Sequence, residues 1–265
     1  VVPPPNYTFE EGLVTTYSLD LPTLLTLPVH LVLADPSNRK QLIENPVALL
    51  DALRRARDRI TVFCEQGRML APRNHHVLYS LLEPVIHEVV APNGGAFHPK
   101  LWVLKFTPTS GDGPTLMRAL VLSRNLTDDR SWDLALRLDG ELTSRRQDAS
   151  APLRDFLQWL AKTTADQPDT AERMTRLANA VGRTQWDIPK PFETLSFTVL
   201  GLQKKTWIPG WPQRSKQRIV ISPFIDNGAL EALLNNTEKL QTAATESDES
   251  VPQRGPLALI SRPEQ

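Results

Sequence analysis

Hydrophobic positions recur with two periods along this chain, and they divide it into alternating strands and helices. Short apolar, β-branched runs at residues 12–19 (GLVTTYSL), 59–64 (RITVFC), 85–90, 101–106 (LWVLKF), 116–122 (LMRALVL), 134–138 and 194–200 predict strands. Asp20-Leu21-Pro22 has the form of a helix start, with Asp20 as N-cap and the proline in the first turn. Over residues 46–58, Leu49, Leu50, Leu53 and Ala56 share one helical face and Arg54 and Arg55 lie on another. Arg57 and Arg59 extend that basic run as a solvated face. Further helices are predicted at 74–82, 151–162 and 170–182. Pro92-Asn93-Gly94-Gly95 is a turn, and Ser110-Gly111-Asp112-Gly113-Pro114 connects two strands as a hairpin. The opening VVPPPNYTFEEG reads as an extended arm, because Pro3, Pro4 and Pro5 forbid helix. Strands alternating with helices give an α/β fold, a mixed β-sheet sandwiched by helices.

The pattern changes at residues 203–218 (QKKTWIPGWPQRSKQR), which carry Lys and Arg, no acid, and two tryptophans. This stretch predicts a linker, and its mixture of charge and aromatic rings suits single-stranded nucleic acid. Its candidate contacts are Lys204, Lys205, Trp207, Trp211, Arg214, Lys216 and Arg218. Beyond it come a strand at 218–222, a helix at 228–235, a polar loop at 242–255 and a strand at 257–261. Self-comparison sets residues 13–25 beside 219–231, matching Val14 with Val220, Leu19 with Ile225, Asp20 with Asp226 and Leu24 with Leu230. Residues 60–65 fall beside 257–262 in the same order. Three segments follow: a first repeat over 1–202, a linker over 203–216, and the start of a second repeat over 217–265.

Composition narrows the function classes. Thirty basic and thirty acidic residues cancel, which argues against histone-like arms and acidic tails but leaves room for a local basic groove. One cysteine excludes an internal disulfide framework and a Cys-based zinc site; Cys64 itself reads as a buried strand-end residue. The longest apolar stretch, 21–34, is broken by Pro22, Pro28 and His30 and falls short of the roughly 20 residues a spanning helix needs. No membrane contact and a cytoplasmic location are expected, and the N-x-T triplets at Asn6, Asn125 and Asn235 are then incidental.

The candidate chemistry is concentrated at Phe97-His98-Pro99-Lys100, which heads the strand LWVLKF. The strand LMRALVL runs into Ser123-Arg124-Asn125-Leu126-Thr127, and Ser131-Trp132-Asp133 follows. In extended chain, residues i and i+2 project to one side, so His98 and Lys100 face the same way. A neighbouring strand ending at Ser123-x-Asn125 adds two polar side chains beside them. An imidazole, an ammonium and an amide converging on one spot suit a phosphate: the cation and amide hold its oxygens while the imidazole attacks phosphorus.

These residues resemble the phospholipase D superfamily, whose repeat reads H-x-K, a strand, then G-S-x-N, and HPKLWVLKF…LVLSRNLTDDRSWDLAL resembles its nuclease-like branch. The resemblance runs over residues 97–135, with supporting patterns at 12–25, 59–69 and 217–262. It implies that His98 is the nucleophile or its mate, that Lys100 and Asn125 are phosphate ligands, and that Ser123 supports them. It assigns Asp133 to orient His98, with Asp128 and Asp129 as rivals. The chain departs from the family pattern at Lys105, where an Asp is usual, and at Leu122, where a Gly is usual.

The resemblance further implies metal-independent phosphodiester cleavage through a phosphohistidine, with no cofactor. DNA is the favoured substrate, with a prokaryotic or antiviral defence setting and a helicase as a candidate partner. A lipid phosphodiesterase or phosphatidyltransferase, and a degenerate module that only binds nucleic acid, are the alternatives. The family mechanism uses two H-x-K motifs and this sequence has one. The repeat comparison places the other beyond residue 265, and a homodimer pairing two copies of His98 is the alternative. The chain alone is expected to be weak or inactive unless it dimerises through the His98 face.

Overall fold

The computed structural model describes residues 1–32, 46–70, 72, 77–202, 218–221, 227–228, 231 and 257–260. They fall into two units, Val1–Leu202 and Gln203–Gln265. The first is a mixed α/β unit built on one sheet. In chain order its elements are β1 (Tyr7–Thr16), β2 (Leu19–Asp20), α1 (Leu21–Val32), α2 (Pro46–Arg57), β3 (Ile60–Glu65), β4 (Met69–Leu70) and β5 (Ile86–Val89). They continue with β6 (Leu101–Pro108), β7 (Leu116–Leu122), β8 (Ala135–Leu142), α3 (Ala151–Thr163), α4 (Pro168–Val181) and β9 (Thr184–Trp186). The seven-stranded sheet has the order β5-β3-β1-β6-β7-β8-β9. Strands β5, β3 and β1 are mutually parallel, and every pairing from β1 across to β9 is antiparallel.

Helices cover both faces, so the central strands are apolar on both sides rather than alternating with polar residues. In β1, Leu13 points into a core shared with Leu153, Leu157, Leu160, Met174 and Leu177 of α3 and α4. Its neighbour Val14 joins the opposite core with Leu24, Leu27 and Leu31 of α1 and Leu53 of α2. Val103 and Leu104 of β6, and Phe63 and Val62 of β3, split between the cores in the same way. The α1 start is the one read from sequence: Asp20 Oδ2 accepts the Thr23 N–H at 2.9 Å, which caps the first turn. Cys64 is fully buried and its thiol is pushed up to about 11, by burial first and then by Glu88 and Glu65.

Three expectations need correction. The arm ends earlier than expected, because Tyr7, Thr8 and Phe9 already pair with Pro108, Thr107 and Phe106; aromatic and β-branched side chains outweigh the nearby prolines there. Residues 77–81 form a 3₁₀ turn instead of an α-helix, and residues 74–76 lie outside the described residues. Residues 194–200 do alternate, with Leu195, Phe197 and Val199 packed on the core, but no sheet ladder accepts them. The strand at that end of the chain is instead β9, whose Trp186 Nε1 donates to Ser150 Oγ at 2.9 Å. His98 and Lys100 head β6 as read from the sequence, its first ladder residue being Leu101.

In the second unit β10 (Arg218–Ile221) pairs in parallel with β11 (Leu257–Ile260), Arg218 opposite Leu257 through Ile221 opposite Ile260. The sequence self-comparison carries Gly12–Thr15 onto Arg218–Ile221 and Ile60–Phe63 onto Leu257–Ile260. In the first unit Gly12 stands opposite Ile60 and Thr15 opposite Phe63. The two parallel pairs therefore share direction and register at every one of these positions. The expected 242–255 loop lies outside the described residues, as does most of the expected 228–235 helix.

One buried group makes stability depend on pH. His87 on β5 is buried, stacks on Phe63 with ring centroids 5.4 Å apart, and its Nε2 has no hydrogen-bond partner among the described residues. Burial, helped by Arg173 and opposed by Asp166, lowers its pKa from 6.5 to about 4. A depressed imidazole means the unfolded chain takes up a proton first as pH falls. The contribution of neutral His87 is thus complete above the unfolded value of 6.5 and is lost on the way down to 4. Chemical denaturation between these pH values should show a loss of up to about 3 kcal/mol that His87→Phe abolishes.

Candidate active site

The site forms at one edge of the sheet, where β1 and β3 end, β6 begins and β7 ends. This is the carboxyl end of the parallel strands, the usual ligand edge of α/β sheets. Pro99 has no N–H to offer a ladder, and the Thr15 side chain takes over. Its Oγ1 accepts the Leu101 N–H at 2.9 Å and donates to the Pro99 carbonyl at 3.1 Å. The Lys100 carbonyl accepts the Leu122 N–H at 2.9 Å, which extends the β6–β7 pairing back to the H-x-K segment. His98-Pro99-Lys100 and Ser123-Arg124-Asn125 are thereby fixed to neighbouring rods.

His98 and Lys100 touch, Lys100 Nζ lying 2.9 Å from His98 Nδ1 and 3.3 Å from Nε2. An ammonium has only donors, so the ring nitrogen it meets must accept, which requires a neutral imidazole. The electrostatics agree: His98 is exposed to solvent on one side, and its pKa is held below its ordinary value by partial desolvation of the ring and then by the Lys100 charge, while its own carbonyl and Glu65 push the other way. Burial also lowers the Lys100 pKa.

Tyr17, one residue past β1, links the remaining groups. Its ring lies against the His98 ring with centroids 4.8 Å apart, and the Arg68 guanidinium sits 5.2 Å from the opposite partner of that contact, the Tyr17 ring centroid. Its N–H donates to Asn125 Oδ1 at 3.3 Å, and its carbonyl accepts the Glu65 N–H at 3.3 Å. With Oδ1 committed to a backbone donor, the amide of Asn125 keeps its two Nδ2 protons for an anion. The next residue is held as well: the Leu126 N–H reaches Thr16 Oγ1 and its carbonyl accepts from Asp20 N–H, both at 2.9 Å.

His98, Lys100 and Asn125 thus share this edge. Asp133 does not contact His98; its Oδ1 accepts from Ser123 Oγ at 2.8 Å, and Ser123 Oγ in turn accepts the Leu134 N–H at 2.8 Å. Ser123 and Asp133 therefore brace the turn carrying Asn125, with Arg124 4.0 Å from the Asp133 carboxylate. Of the rivals, Asp129 accepts from Ser131. Glu65 at the end of β3 is the one carboxylate whose charge bears on the His98 pKa, as the weakest of its influences, and its Oε2 accepts the Phe97 N–H at 2.6 Å. Lys105 is engaged elsewhere, bridging to Glu10 at 2.7 Å. Lys204, Lys205, Trp207, Trp211, Arg214 and Lys216 lie outside the described residues, and Arg218 opens β10.

Sequence reasoning missed Tyr17, Glu65 and Arg68. The usable signal was positional, since Tyr17 and Glu65 stand at the carboxyl ends of two strands that the hydrophobic pattern locates. The Glu65 influence has a checkable sign. A carboxylate favours imidazolium, so Glu65→Gln should lower the His98 pKa further, and NMR titration of the His98 Cε1–H should shift its midpoint to lower pH.

Among the described residues no three His, Cys, Asp or Glu side chains gather as a metal site, and no helix is long and apolar enough to cross a membrane. No protein-family model and no curated protein matches the chain. Among solved structures it is similar to yeast tyrosyl-DNA phosphodiesterase. One mutant form aligns at 11% identity over 67% of this chain and 34% of that one, with a TM-score of 0.40. The unmutated yeast enzyme aligns at 12% identity over 63% and 35%, with a TM-score of 0.38. The chain spans about a third of the length of these proteins.

Proposed function

We propose that this chain is a phospholipase D-like phosphodiesterase subunit or lobe that cleaves DNA without a metal ion, through a phosphohistidine. The observation that carries this reading is the convergence of a neutral His98, the Lys100 ammonium in contact with it, and an Asn125 amide held by the residue that stacks on His98. When a phosphodiester arrives, Lys100 exchanges the imidazole for a non-bridging oxygen and Asn125 Nδ2 takes another, stabilising charge that grows in the transition state.

The freed imidazole nitrogen of His98 attacks phosphorus, the P–O bond to the leaving group breaks, and a second imidazole protonates the departing oxygen. That second imidazole then takes a proton from water, which attacks the phosphohistidine and returns His98 to its free form. By microscopic symmetry the two imidazoles can exchange these roles, so His98 is either the nucleophile or its acid–base mate. The shared register of β1–β3 and β10–β11 favours a second repeat as the source of the other imidazole; a second copy of the chain is the alternative.

Substrate class is tested by offering the full-length protein a labelled oligonucleotide and phosphatidylglycerol vesicles side by side. Cleavage of the oligonucleotide is the expected outcome. Turnover of lipid alone would replace the nuclease reading with the lipid one.

A further inference from the structure

A cleft of about 450 Å³ opens beside the H-x-K residues and within the first unit, and its size lies in the range usual for small-molecule sites. His98, Pro99, Lys100 and Leu101 form one side of it. Apart from Thr198 the remainder is apolar and includes Phe97, Phe156, Trp159 and Phe197, and no acidic side chain lines it. The aromatic rings are ordered against one another. Phe156 and Trp159 stack at 6.1 Å with 19° between planes, and Phe97 lies 6.2 Å from Trp159. Phe97 and Phe156 are buried, whereas Trp159 keeps a partly exposed face.

Resting on the phosphodiesterase reading, the position of this cleft restricts its occupant. A phosphate held at Lys100 carries two ester substituents, and the cleft adjoins the same His98 and Lys100. One substituent must therefore lie at its mouth. The walls select a flat, uncharged, apolar group, since they hold rings and aliphatic chains and offer little to solvate a second phosphate. Diacyl chains would need far more volume than this. We propose that the cleft is a nucleobase subsite, in which the base next to the scissile phosphate packs on Trp159 while the phosphate stays at Lys100. Stacking on an aromatic ring is tolerant of base identity, so the subsite confers affinity for single-stranded or unpaired nucleotides without sequence preference.

The test compares two fluorescently labelled strands of equal length and charge, a thymidine dodecamer and a dodecamer of abasic tetrahydrofuran residues. Both are titrated against the His98→Ala protein so that neither is cut. The thymidine strand should bind roughly 5- to 100-fold tighter, the range of base–aromatic stacking. Trp159→Ala should erase most of that preference and leave affinity for the abasic strand unchanged, while Trp159→Phe should retain it. An unchanged abasic affinity also reports that the variant is folded. Equal binding of both strands, or a preference that survives Trp159→Ala, overturns the subsite yet leaves the phosphodiesterase reading intact. Displacement of the thymidine strand by dihexanoyl-phosphatidylcholine, but not by thymidine monophosphate, assigns the cleft to acyl chains and also overturns it. If neither strand binds, the DNA reading itself falls.

Discussion

In the full-length protein His98→Ala is expected to lower phosphodiester turnover on the order of 10³-fold, the middle of the range for removing a positioned acid–base or nucleophilic imidazole. The loss should appear in kcat, because the imidazole acts on the reacting phosphorus or leaving oxygen and contributes little to holding the substrate. The thermal midpoint should barely move. His98 is exposed, lies outside the sheet ladder, and its chief packing partner is the Tyr17 ring. A variant with wild-type kcat would remove His98 from the chemistry, whatever the geometry around it.

Lys100→Met is the second large effect, and it has two readouts that a purely structural role would not join. The ammonium is the cation closest to where the phosphate oxygens would lie, so its removal should cost about 10²- to 10³-fold in kcat, as for loss of a donor to a developing negative charge. Methionine keeps much of the buried stem but not the charge. The charge is also one of the causes holding the His98 pKa down, so its loss must raise that pKa. In the wild-type protein neutral imidazole persists below pH 6.5, and the acidic limb of kcat/KM should fall below that value. In Lys100→Met the limb should move to higher pH. A drop in rate with an unmoved limb would mean that Lys100 does not sense His98 in solution.

The strands and helices that build the site were legible because burial on both faces of the sheet leaves apolar and β-branched runs, as at Ile60–Cys64 and Leu101–Leu104. The juxtaposition of His98, Lys100 and Asn125 was legible too, since extended chain places i and i+2 on one side and the hairpin brings Leu122 back to Lys100. Asp133 and Glu65 mark where that reasoning stops. Both are carboxylates near strand ends, but which one's charge bears on His98 depends on how β3 lies relative to β6 with β1 between them, and on a turn after β7 that folds Asp133 onto Ser123. Tyr17 escaped for a related reason. Its ring and both its backbone groups serve different partners, and no local pattern encodes three separate tertiary contacts. Residues 194–200 show the opposite failure: alternation is a property of any extended segment lying on a core, and only a free neighbouring edge makes it a strand.

The most direct test of metal-free cleavage is the rate at which the full-length protein cuts a labelled oligonucleotide in excess EDTA, set beside the rate with magnesium or manganese. With Lys100 and Asn125 supplying the charge stabilisation, the two rates should agree. Activity that stops in EDTA and returns with a divalent cation would contradict the account.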